Sequence, residues 1–203
     1  TSDALANACR TVAQNIDNAL PPLKNSLTTA LEEFKGHYAD VAAANIDTTI
    51  SDGRDIASIF RQLADVVDRL KESAHKENEN RDLMYHYEHD LGGFRKWWVE
   101  TFGGEPPKPT SYKPDTSIDT TSLGHRESTE TRSGSMTVSS ARPSTVRALS
   151  NTLANLGTSF DAEPGKLRNL STEFMVKCQW GSVDAENLIS TFEAWNKSNA
   201  NDK

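Results

Sequence analysis

The sequence predicts an all-α protein of long antiparallel helical hairpins, coiled-coil- or bundle-like, joined by a disordered linker. Three observations carry this. Apolar residues recur every three or four positions through both ends of the chain, which is the period of one helix face. The middle is crowded with Ser, Thr and Pro and holds few apolar side chains. Aromatic residues are 7% of the 203 residues while Ala, Asn, Asp, Ser and Thr abound, a balance that suits helix and disorder better than sheet. The expected units are a long hairpin over 1–103, a disordered linker over 104–144 and a smaller hairpin over 145–203.

In the first helix, Leu5, Cys9, Val12, Ile16, Leu20, Leu23, Leu27, Leu31 and Phe34 step by four and three. Pro21 and Pro22 interrupt this stripe; each removes a backbone donor and crowds the preceding turn, so a kink or short break is expected near Leu20. Phe34-Lys35-Gly36 then forms a turn, and a second stripe begins at Tyr38 and Val41. Ile56, Phe60, Leu63, Val67, Leu70 and Ala74 alternate steps of four and three, the narrow seam of a helix that packs on another long helix. Its expected cover is the first helix, folded back antiparallel across the turn, with an intermolecular partner second. At Ser51-Asp52-Gly53 two readings stand side by side: a break in which Asp52 caps a new helix, or continuous helix. The polar stretch from Glu72 to Asp90 continues the helix until Gly92-Gly93 stops it. Beyond lie Trp97, Trp98, Val99 and Phe102, too many large apolar groups to stay in water; they are expected to fold back on the rod or meet a partner.

From Glu105 to about Ser144 the five acidic and five basic residues balance and apolar residues are sparse. Such a segment buries too little surface to offset its chain entropy. The helical period returns with Val146, Leu149, Leu153 and Leu156, then with Leu167, Leu170, Phe174 and Cys178. After the turn Trp180-Gly181-Ser182, a last amphipathic helix carries Ala185, Leu188, Phe192 and Trp195.

Several functions are excluded or find no support. No apolar run of about 18 residues exists to cross a membrane. The net charge of −7 and pI near 5.3 oppose a nucleic-acid binder. Two cysteines, Cys9 and Cys178, are too few for a disulfide scaffold or a structural zinc site, and each is better explained as a small buried residue than as half of a pair. His86-Tyr87-Glu88-His89 matches no zinc-protease pattern and reads as a solvated face. No nucleophile–base constellation, phosphate-cradling glycine loop or dinucleotide fingerprint is present, so no enzyme, cofactor or metal is expected.

The helix, the turn at Trp180-Gly181 and the following helix with Ala185, Leu188, Phe192 and Trp195 resemble the WXG superfamily, small helical hairpins exported by type VII secretion in actinobacteria and firmicutes. Ser182 stands where the motif's glycine would be, and no Tyr in the chain is followed at the fourth position by Asp or Glu, the family's usual export signal. Phe34-x-Gly36 between two long helices looks like a divergent second copy. Residues 1–100 are similar to the helical export module of actinobacterial polymorphic toxins. The resemblance implies a non-enzymatic protein, secreted or at the cell surface by a non-Sec route, that pairs with another WXG-type hairpin or with itself and meets the secretion machinery. A cytoplasmic coiled-coil adaptor is the alternative, and a toxin with its activity in the C-terminal part is a third. Phe34, Gly36, Ile56, Phe60, Leu63, Val67, Leu70, Trp97, Trp98, Trp180, Gly181, Leu188, Phe192 and Trp195 are the residues expected to form the turns and the partner-binding faces.

Overall fold

The computed structural model describes residues 2–90, 97, 101, 108–128, 140–177 and 185–201. Among these, the chain forms helices α1 (Ser2–Leu31), α2 (His37–His89), α3 (Pro143–Ser159), α4 (Glu163–Lys177) and α5 (Glu186–Asn201). The architecture is all-α, as the apolar periods require.

Helix α1 runs through Pro21 and Pro22 without a break, so of the kink or short break expected there the break does not occur. Both prolines are on the exposed side, while Leu20 and Leu23 on either side of them are buried. Packing of the apolar stripe therefore holds the helix where two backbone donors are missing. The turn forms where Phe34-x-Gly36 predicts it. The Phe34 N–H closes α1 by donating to the Ala30 carbonyl at 2.9 Å, and Gly36 takes φ 98°, a conformation costly for any residue with a Cβ.

Helix α2 is a single rod of 53 residues, about 80 Å long. It passes through Ser51-Asp52-Gly53 uninterrupted, which settles the two readings of that tripeptide in favour of continuous helix. Its first half packs antiparallel on α1, burying Ile56, Phe60, Leu63, Val67 and Leu70 with Leu5, Cys9, Val12 and Ile16 in one core. Ion pairs along the rim keep the register: Arg10 with Asp65 and Asp68, Asp17 with Arg61, Lys24 with Asp47, and Asp3 with Lys71. All are substantially exposed, so they select the alignment more than they stabilise it.

The C-terminal helices share that core. Helix α1 packs on α2, α3 and α4, and α5 packs on α2, α3 and α4. Helices α3 and α5 approach so closely at Gly157 that an added Cβ would stand 2.6 Å from the Ala200 backbone nitrogen. Helices α4 and α5 are tied by Arg168 to Glu186 and Glu193; their connection, including Trp180 and Gly181, lies outside the described residues.

The described part of the linker, 108–128, carries no helix or strand, in keeping with its composition. It is nevertheless laid along α2 in the opposite direction. The Tyr112 N–H donates to Glu77, the Asp119 N–H to Gln62, the Gly124 N–H to Asp52 and the Glu127 N–H to Asn45. Further on, Ser140 exchanges backbone bonds with Lys35 across an isolated antiparallel bridge.

Candidate functional site

The last helix supplies the most definite site. Its apolar face, Leu188, Phe192 and Trp195, is fully buried, but the cover is this chain's own α2 and α3 rather than a second hairpin. That corrects the expectation that these residues face a partner. The Trp195 indole Nε1 donates to the Thr49 carbonyl at 3.0 Å, satisfying the ring's polar edge inside the core. The ring lies over Gly53, where a Cβ would come within 2.9 Å of Trp195 Cζ2 and 3.2 Å of Leu20 Cδ2. A glycine in mid-helix costs about 1 kcal/mol relative to alanine, and here it makes room for an indole. Phe192 stands edge-on to Phe60 at 5.3 Å and to Phe160 at 5.6 Å, so residues from α2, α3 and α5 meet in one aromatic cluster. Next to it Thr49 Oγ1 donates to Asn199 Oδ1, both residues buried.

The seam residues Ile56, Phe60, Leu63, Val67 and Leu70 are likewise taken up inside the molecule, covered by α1 and, at Phe60, by Phe192 of α5. Phe34 is half-buried beside the turn and, with Tyr38, borders an open cleft of about 420 Å³ between the start of α2 and α3. Val41, Leu149 and Leu153 line its walls together with the polar residues Asn45, Thr49, Glu127 and Ser150.

The other end of α2 differs. Its last 18 residues, from Glu72, continue past Lys71, which pairs with Asp3 at the start of α1. Here the side chains make local pairs at helical spacing, Glu72 with Lys76 and His75 with Glu79. The hydrogen bond from Lys76 holds the Glu72 carboxyl below its ordinary range. Leu83 is 62% exposed and Tyr85 57% exposed, and Tyr85 stacks on His89 at 4.2 Å. Trp97 is also exposed, at 52%, so it is not folded into the core; Trp98 lies outside the described residues.

Two buried groups could carry chemistry. Cys9 is a free thiol at the α1–α2 interface, and burial pushes its pKa up to about 12, which keeps it protonated and unreactive at neutral pH. Its proposed alternative partner, Cys178, lies outside the described residues. Asp52 accepts the Gly124 N–H at 3.1 Å and an Arg126 guanidinium N–H at 3.1 Å, an almost fully buried pair that ties the linker to the helix. Nothing local marks this role, because an Asp before a Gly in a helical pattern looks the same whether it caps a helix or binds a distant segment. Among the described residues no group of three or more His, Cys, Asp or Glu could hold a metal ion, and no helix is long and apolar enough to cross a membrane.

The described residues thus offer an aromatic cluster closed within the chain, an open cleft near the turn, and exposed apolar side chains near the end of α2. No family model, curated protein or solved structure matches the chain.

Proposed function

We propose that the protein is a non-enzymatic helical protein of the WXG type, secreted or targeted for secretion, that acts by helix-to-helix association with a partner hairpin or a second copy of itself. The resemblance at Phe34-x-Gly36 and Trp180-Gly181 motivates the export part of this reading. The association part is supported by one observation above all. The seams of α1, α2 and α5 are filled internally, whereas α2 extends past α1 and presents Leu83 and Tyr85 to solvent. A helix that projects about 27 Å beyond its neighbour leaves exposed apolar side chains around it for another chain to pack on.

Association is tested by light scattering of the purified protein, alone and mixed with the product of a neighbouring small reading frame. The wild type is expected to form a dimer or a mixed complex, and the double variant Leu83→Ser/Tyr85→Ser to remain a monomer in both. A wild type that stays monomeric in both conditions contradicts the proposal. Export is tested by comparing culture medium from the native host with and without its type VII motor. Protein confined to the cytosol of both strains would leave the coiled-coil adaptor in its place.

A further inference from the structure

We propose that residues 112–127 are a releasable strap: a segment latched onto α2 at Asp52 that opens as a unit while the helical bundle beneath it stays folded. This goes beyond the association reading and does not depend on it.

The geometry is that of an extended chain lying on a helix. Contacts pair Tyr112 with Glu77 at one end and Glu127 with Asn45 at the other, antiparallel to α2. The 15 steps of extended chain, at about 3.3 Å each, and the 32 steps of helix, at about 1.5 Å each, both come to roughly 50 Å. The two run alongside each other without slack. Alternate strap residues Tyr112, Pro114, Thr116 and Ile118 are half-buried while those between are exposed, the period of two expected of an extended segment on a surface.

The way the strap is held separates it from the bundle. Every bond named above joins a strap N–H to a side-chain oxygen of α2, so none belongs to a cooperative backbone ladder. Its apolar anchors are few: Ile118 and Leu123 pack against the core only partly buried. The exception to this looseness is the latch. Gly124 lies so close to α2 that an added Cβ would be 2.5 Å from Thr48 Cγ2, and Asp52 accepts both the Gly124 N–H and the Arg126 guanidinium in a nearly dry setting.

A buried charge pair is costly to split in place, because each ion loses its partner without gaining water. Lifting the strap avoids that cost, since Asp52 and Arg126 both return to solvent. The packing of α1 and α5 on α2 does not run through the strap, and only the partly buried Ile118 and Leu123 leave the core when it lifts. The latch therefore makes release concerted over the strap and local to it.

Hydrogen exchange on the full chain tests this, with Asp52→Asn and Arg126→Gln as latch variants from the two sides. In the wild type, strap amides at Tyr112, Asp119, Gly124 and Glu127 should exchange faster than α2 amides at 56–67, and mild urea should accelerate both sets, the α2 set more steeply because its opening exposes more surface. Each variant should speed strap exchange about tenfold or more, the effect of losing a charge-assisted hydrogen bond, while leaving exchange at 56–67 unchanged. If strap and helix amides exchange together, or if neither variant moves the strap, the proposal is overturned. Should Asp52→Asn unfold the helix itself, Arg126→Gln gives the decision, because Arg126 lies on the strap.

Discussion

The two halves of α2 belong to one helix and are stabilised in different ways. From Val41 to Leu70 the rod is buried on one side against α1 and on another against α5, with Ile56, Phe60, Leu63 and Val67 wholly out of water. From Glu72 to His89 its faces carry charge pairs at helical spacing and exposed Leu83 and Tyr85. The first half is helical because packing rewards it. The second is helical because its residues favour helix and because it grows from an already formed one, so it bears no nucleation cost. The same backbone thus serves as core at one end and as available surface at the other.

Mutations should separate the halves sharply. Trp195→Ala removes the indole seated on Gly53 and is expected to cost about 3–5 kcal/mol by chemical denaturation. Leu83→Ala, a smaller apolar truncation on the distal half, should stay within about 0.5 kcal/mol of wild type. Equal losses at the two sites would erase the distinction. Gly53→Ala comes next. Helix propensity alone predicts stabilisation, but the new methyl meets Trp195 and Leu20, so a net loss of about 1–3 kcal/mol is expected. Combining Gly53→Ala with Trp195→Ala should turn that loss into a gain, because the obstructing ring is gone.

A pH experiment sharpens the same contrast. Cys9 has an ordinary pKa near 9.0 when unfolded and about 12 when folded, raised by burial. The unfolded chain therefore releases this proton first as pH rises. Stability from Cys9 is complete below pH 9 and declines as pH climbs towards 12, by about 1 kcal/mol at pH 10. Cys9→Ala should remove that component, visible as a flatter decline relative to wild type between pH 9 and 10. The smallest effect is expected at Glu72→Gln, which breaks the exposed pair with Lys76. Its denaturation midpoint should match wild type, and exchange should rise only in the neighbouring turns of α2.

How much of this was legible depends on how local the signal is. The stripes of α1 and α2 and the Phe34-x-Gly36 turn are written in short-range spacing, and the structure follows them. The short break that the prolines allow does not form, because propensity is a local quantity while burial of Leu20 and Leu23 is not. Gly53 was ambiguous for a related reason: a helix break and a seat for an aromatic ring both call for a residue without a side chain, and the ring sits 142 positions away. The strap was the least legible element. Its bonds join backbone N–H groups to scattered polar side chains of α2, so neither partner leaves a periodic pattern. A faint alternation at Tyr112, Pro114, Thr116 and Ile118 was the available clue. That the apolar face of α5 would find its cover inside the chain could not be read from amphipathicity, which shows that a face needs covering and not by what.

The central claim is that the C-terminal hairpin is paired with the N-terminal one within a single molecule, through Trp195. The direct measurement is solvent exchange of the Trp195 indole N–H, assigned by its disappearance in Trp195→Phe. Donating to the Thr49 carbonyl in a fully buried site, it should exchange only through global unfolding, as slowly as the backbone amides of Phe60 and Leu63. Exchange as fast as that of the exposed Trp97 indole, under conditions where α2 remains protected, would contradict the account.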